Sequence, residues 1–173
     1  MWTRLIRILK HRWQSEQAVH RAIPPDLLKR LGHEVRQGEA THSGEIRVYV
    51  EAGLPLSYLW QKASTPHITR QRALSMFGKL RVWDTANNNG VLIYLLLAEH
   101  RIEIVADRGL NERVAQDTWQ EMVRTMRASF KSGDFEGGLT QAVQKVSALL
   151  QQHFGIDPAQ HNPNELPDEP ILG

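Results

Sequence analysis

Four carboxylates, Glu39, Glu45, Asp84 and Asp107, and a run of three amides, Asn87, Asn88 and Asn89, are the residues of this chain best suited to joint chemistry. Carboxylate and amide oxygens suit hard divalent cations such as calcium or magnesium. The chain has no cysteine and no His-x-x-x-His pair. That removes a disulfide framework, a thiolate zinc site and a cysteine nucleophile, and argues against zinc altogether. Arg108 follows Asp107 directly and could hold an anion, while His42, three residues before Glu45, is the nearest candidate for a general acid. The spacing of the acids is not that of an EF-hand loop, so any site must be assembled by the fold.

The elements that would assemble it centre on Trp83 to Leu110. Val91 to Ala98 is apolar throughout, as a strand covered on both faces must be, and at eight residues it is too short to cross a bilayer. Ile102, Ile104 and Ala106 alternate with Glu103 and Val105 in a second strand with one less buried face. The short turn between them requires an antiparallel pair. Upstream, Ile46, Val48 and Val50 alternate with Arg47 and Tyr49, and His67 to Leu80 reads as a crossover helix with Ala73, Leu74, Phe77 and Leu80 inward. A strand, helix, strand unit of this length makes a right-handed parallel pair. Loops 39–45, 84–90 and 107–111 should therefore meet on one rim of the sheet. No other region concentrates carboxylates in this way.

Elsewhere, Pro24-Pro25 ends one segment and Asp26 is suited to cap the next, a helix carrying Leu27, Leu28, Leu31 and Val35. Leu54 to Pro66 has no clean period and reads as loop or a short helical turn. A long helix is expected from Asn111 to about Lys131 with Trp119, Met122, Met126 and Phe130 on its core side. After a break at Ser132-Gly133-Asp134, another follows to Phe154. The N-terminal residues 1–22 read as a basic amphipathic helix, with Trp2, Leu5, Ile6, Leu9 and Trp13 on one face and Arg4, Arg7, Lys10, His11 and Arg12 on the others. Either the apolar stripe packs on the domain and the cations are solvated, or the helix meets a membrane surface or a partner. Residues 155–173 are rich in proline and acids and should be extended or disordered, with Ile171-Leu172 able to anchor them.

With 173 residues, the chain can bury roughly two thirds of its unfolded surface, giving one domain, 23–154, with extensions at both ends. Its 21 Lys and Arg against 19 Asp and Glu leave a net charge of +2, too small to imply nucleic acid. The absence of cysteine, of a secretory apolar run and of a membrane span points to a soluble cytoplasmic protein, or one held at the inner face of the membrane by its N-terminal helix.

The order of motifs then becomes informative. Gly44-Glu45-Ile46 opening a strand, Asn88-Asn89-Gly90-Val91-Leu92-Ile93, Ile104-Val105-Ala106-Asp107-Arg108-Gly109, a Trp-bearing helix and Phe130-Lys131-Ser132-Gly133-Asp134-Phe135-Glu136-Gly137-Gly138-Leu139 together resemble the TPM domain family over roughly Leu27 to Phe154. The resemblance is to its soluble bacterial branch. It implies a three-layer α/β/α sandwich around a small, mixed, mostly parallel sheet, here with an extra N-terminal helix, and a divalent-cation cleft, usually for calcium, at the converging loops. Plant members are described as acid phosphatases; bacterial relatives are mostly uncharacterised. Many members carry Asp where this chain has Asn88, which keeps an oxygen but removes a charge from a hard-cation site.

On that basis Glu45, Asp84, Asn88, Asn89 and Asp107 are the expected oxygen ligands of calcium or magnesium. A phosphate reading uses the same place, with Arg108 and the amide groups of the helix expected from Asn111 facing an anion, and Asp84 or Asp107 as catalytic carboxylates. The alternative to both is a turn built by Asn87 to Gly90 and an Asp107 that bonds its own backbone. A cytoplasmic module that binds a cation or a partner protein, at its basic helix or a sheet edge, ranks ahead of a metal-assisted acid phosphatase acting on phosphomonoesters. Enzymatic turnover is left open.

Overall fold

A computed structural model describes residues 2–12, 16–157 and 162–173. In chain order the elements are α1 (Trp2–Arg12), α2 (Glu16–Ala22), α3 (Pro25–Glu39), β1 (Ile46–Glu51), α4 (Leu56–Leu59), α5 (Thr65–Lys79), β2 (Val91–Leu96), β3 (Arg101–Ala106), α6 (Arg108–Asn111), α7 (Gln116–Ser132), α8 (Phe135–Phe154) and β4 (Ile171–Leu172). The sheet runs in the order β3-β2-β1-β4. β1 pairs parallel with β2 in the register Ile46 to Val91, and β2 pairs antiparallel with β3. This is the mixed α/β sandwich expected, with β4 added by the tail against β1.

Successive strand residues point to opposite faces, and the two cores follow that alternation. Ile46, Val48, Val50, Val91, Ile93 and Leu95 pack with α3, α7 and α8. Tyr49, Leu92, Tyr94 and Leu96 pack with α4, α5 and Ile8 of α1. β1 and β2 are buried along their whole length, which explains why β2 shows no polar alternation.

Several boundaries move. β2 stops at Leu96, and Leu97–Glu99 turn as a single 3-10 turn to left-handed His100 (φ 46°). The long helix expected from Asn111 is instead two elements. Asp107 caps the four-residue α6 by accepting the Arg108 amide, and α7 begins only at Gln116. Leu56–Leu59 of the unassigned stretch form α4.

The N-terminal segment differs most. Its described residues form α1 and α2, and α1 is turned over relative to the packing expected for its apolar stripe. Ile6 and Leu9 stand exposed, whereas Arg7 and His11 are buried. The Arg7 guanidinium donates to the carbonyls of Leu59, Gln61 and Ala63 at 2.6, 2.9 and 3.0 Å. His11 Nδ1 accepts the Leu54 amide at 2.9 Å, while its Nε2 and Lys10 Nζ both meet Glu99. A guanidinium whose two Nη groups meet main-chain carbonyls can be buried, here with Nε left without a partner, and that wins over burying the stripe. Trp13 lies outside the described residues, as do the side chains of Trp2 and Leu5. None of the described helices is long and apolar enough to cross a membrane.

Candidate functional site

The parallel pairing of β1 and β2 brings loop 39–45 beside loop 84–90, and the hairpin brings 107–111 to the same rim. Contacts tie the three together. Asn89 Nδ2 and Asn87 Nδ2 reach Ser43 Oγ at 3.3 and 3.4 Å, and Val91 N donates to Glu45 O at 2.8 Å. Gly109 N donates to Asn88 O at 2.9 Å, and Asp107 N to Gly90 O at 2.9 Å. Asn88 is left-handed (φ 50°), a conformation that Asn tolerates far better than most residues. Its Oδ1 accepts from Arg108 Nε at 3.2 Å and Nη2 at 3.0 Å.

The expected ligands are not equally free. Asp84 is exposed and pairs with Arg81 at 2.7 Å. Glu45 is buried, and its two oxygens each accept an amide of the C-terminal tail, Glu165 N and Leu166 N, both at 3.1 Å. Asn88 is engaged by Arg108. That leaves Asn89 and Asp107. Asp107 Oδ1 takes the Arg108 amide at 2.7 Å, so the local, backbone-bonding role applies to one oxygen only. Asp107 Oδ2 and Asn89 Oδ1 are both buried without a hydrogen-bond partner. Two buried oxygens with no donor are costly unless something absent from the bare chain, a cation or an ordered water, satisfies them. Among the described residues no three His, Asp or Glu side chains are grouped to hold a metal, so main-chain and amide oxygens would have to complete any shell.

The acid and anion candidates fare differently. His42 is fully buried; burial lowers its pKa to about 4, against the pull of its hydrogen bond to Gly44 O, so it is neutral at pH 7. With α7 starting at Gln116, no long helix aims its amide end at Arg108, and the anion reading loses that support.

The tail is extended and anchored by Ile171-Leu172, one of the two forms expected of it, but its place at the rim is not visible in the sequence. Residues 162–173 lie across the rim: Asn162 Nδ2 donates to Glu39 O and His42 O, the Glu165 carboxylate accepts the Ala86 amide, and Arg47 bonds the carbonyl of Pro167. Asp168 is buried and paired to Arg36 at 2.9 Å and to Asn164 at 2.6 Å. The only local hints were the apolar pair Ile171-Leu172 and prolines that favour an extended chain. Under the tail, Glu39 accepts the Ile46 amide at 2.9 Å and faces the carboxylates of Glu45 and Asp168. Burial, reinforced by those two charges, pushes its pKa to about 9; burial likewise raises Glu45, against the two tail amides.

The sign of the pH effect follows. The unfolded chain releases the Glu39 proton above its ordinary 4.5, whereas the folded chain keeps it to about 9, so this group's contribution to stability falls as pH rises through that window. Gln resembles the protonated acid. Glu39→Gln should therefore gain on the wild type at pH 8.5 relative to pH 5, as measured by thermal unfolding; a wild-type minus variant difference that is flat with pH would contradict a protonated Glu39.

Comparison with known proteins agrees on the family. The TPM domain matches residues 21–149. The BA42 protein of the psychrophilic bacterium Bizionia argentinensis is similar at 27% identity with a TM-score of 0.71, covering 87% of this chain and 95% of that one. The N-terminal domain of a protein from P. gingivalis, at 22% identity and a TM-score of 0.53 over 77% of this chain and 81% of its own, shares the fold. No curated protein matches. With β1, β2 and β3, the Asn-Asn-Gly loop and the Asp107 cap all within the matched span, this chain belongs to the TPM domain family.

Proposed function

We propose that this chain is a binding module for a hard divalent cation of calcium type, held on the rim by Asn89 and Asp107. The observation that carries the reading is the pair of buried, unpartnered oxygens, Asn89 Oδ1 and Asp107 Oδ2, on loops bound to each other. One free carboxylate makes a weak site, with a Kd of about 10⁻⁴–10⁻³ M expected for calcium. Glu45 would strengthen it only if the tail amides let go. Isothermal titration with calcium should give heat that disappears in Asp107→Ala and is strongly reduced in Asp107→Asn, which keeps the cap but not the charge. Silence in the wild type ends the proposal, and heat that survives both substitutions moves the ion elsewhere. A metal-assisted phosphatase at the same rim has less behind it: Arg108 is engaged by Asn88, His42 is neutral and buried, and Asp84 turns to Arg81.

A partner role for the N-terminal layer has its own support. All six exposed large hydrophobic side chains among the described residues, Ile6, Leu9, Leu56, Trp60, Leu74 and Trp83, fall in residues 1–15 and 52–83. The first stretch holds four Lys and Arg, the second five, and neither holds an Asp or Glu. Lys10, Arg70, Arg72 and Arg81 are paired with acids from outside the two stretches. It is therefore the exposed apolar anchors set in a basic sequence, rather than unpaired cations, that suit an anionic lipid surface, which would hold a cytoplasmic domain at the inner membrane face. Full-length protein should pellet with phosphatidylglycerol vesicles but not with phosphatidylcholine alone, and Ile6→Glu with Leu9→Glu should lower the bound-to-free ratio about tenfold. Equal pelleting of wild type and variant would remove α1 from the interaction.

A further inference from the structure

β3 is the edge of the sheet, and among the described residues no other strand covers its outer side. Asp107 N turns inward to Gly90 O, so by alternation the main-chain groups of Ile102, Ile104 and Ala106 turn outward. Arg70 confirms the direction by donating to Ile104 O at 2.6 Å from that side. Along this edge, between α5 and α7, runs a groove of about 460 Å³ whose charged lining is Arg70, Arg101, Arg124 and Arg127 against Glu103 alone. Trp119 forms part of the wall; it is 7% exposed, and its Nε1–H is buried without an acceptor.

We propose that this groove is a docking site for an extended acidic peptide segment that adds to β3 as a fifth strand. An edge strand offers donors and acceptors at strand spacing, here with Ile104 O shared with Arg70, which is the main-chain half of such recognition. The walls supply the other half. Side chains of an added strand alternate toward α5 and toward α7, so acids at alternate positions meet Arg70 and Arg101, or Arg124 and Arg127. Glu103 already occupies part of Arg101 (3.0 Å) and approaches Arg70 (3.8 Å), and Arg124 leans on Glu121 outside the groove. The Arg124–Glu121 pair is exposed, weak and exchangeable, whereas Arg101 and Glu103 are partly buried, so Arg70, Arg124 and Arg127 are the cations most open to an incoming acid. The same arginines discourage a second copy of this chain, because edge-to-edge pairing would oppose like charges. The groove thus selects against self-association and for an acidic strand.

The test uses the full chain and two capped nonapeptides, alternating Val-Glu and alternating Val-Lys. The Glu peptide should bind at low salt, weaken as salt rises, and slow amide exchange at Ile102, Ile104 and Ala106. The Lys peptide should bind at least about tenfold more weakly, as should the Glu peptide to Arg124→Glu with Arg127→Glu, whose thermal unfolding reports that the fold is kept. No binding of the Glu peptide overturns the proposal, as does equal binding of both peptides. Binding that leaves the three edge amides unprotected assigns the groove to small anions. A dimer abolished by the double charge reversal assigns it to self-pairing.

Discussion

Glu51→Ala is expected to lower stability by about 3–5 kcal/mol, with a fall in Tm of roughly 10 °C in a chain of this size. Glu51 ends β1 on the face covered by α5 and is buried. Arg72 of α5 grips it with Nε at 3.1 and 3.0 Å and Nη2 at 2.6 Å, and the hydroxyl of fully buried Tyr94 donates to it at 2.5 Å. Tyr49 stacks on Tyr94 with ring centroids 5.9 Å apart, and Arg72 lies over the Tyr58 ring. Burial alone would lower the Arg72 pKa, but hydrogen bonds and charge from Glu51 outweigh it and raise it. Burial and the Glu51 charge both push the Tyr94 hydroxyl upward, so it stays protonated and donates. Removing Glu51 leaves a guanidinium with 10% side-chain exposure and no counter-charge, and that stranded charge is the main cost. Glu51→Leu with Arg72→Met should accordingly recover much of the loss in urea unfolding. A double variant no better than Glu51→Ala would mean that the specific hydrogen bonds, not the unpaired charge, carry the energy.

That network shows where sequence reading works and where it stops. The strands were legible because burial on both faces leaves an apolar run at Val91 to Leu96, and the rim followed from the handedness of a crossover helix and the shortness of a hairpin turn. Glu51 and Arg72 were not legible, since nothing local says that a charge at a strand end meets one 21 residues away. Asp107 suits both a ligand and a residue bonding its own backbone, and it divides between them: one oxygen caps α6 and the other stays free. Glu45 is held by amides 120 and 121 residues downstream, contacts that no periodicity encodes. The packing of α1 was not legible for a different reason. Its amphipathic pattern is strong, but a pattern ranks faces by transfer to an apolar phase, whereas α1 docks on the carbonyls of Leu59, Gln61 and Ala63, which exist as a cluster only once α4 has formed. The tail and α1 thus bracket the domain by polar contacts to main chain, and α1 leaves Ile6 and Leu9 exposed.

Gly90→Ala should be the most damaging single methyl at the rim, costing about 3 kcal/mol and taking any cation response with it. A Cβ there would stand 1.9 Å from Val82 O and 3.0 Å from Val82 C, both main chain. Neither side can yield cheaply. Val82 is fully buried in the core beneath α5, and the chain enters it through left-handed Arg81 (φ 54°). Gly90 is fixed by Asp107 N at its carbonyl and by Val91 N on Glu45 O immediately after. This is the physical reason a glycine closes the Asn-Asn-Gly run: the loop that carries Asn89 must pass in contact with the backbone that ends the α5 crossover. Moving it by the ångström or more a methyl demands would drag Asn89 from Ser43 and Asp107 from its anchor. Gly78→Ala is the matched control. It lies in α5 with nothing within 4 Å of the added carbon, so it should gain about 0.5–1 kcal/mol from helix propensity. Urea midpoints that move in opposite directions for the two variants are the expected result; a tolerated Gly90→Ala would mean that the rim is softer than its contacts, and that Asn89 and Asp107 are not held in the register a cation site requires.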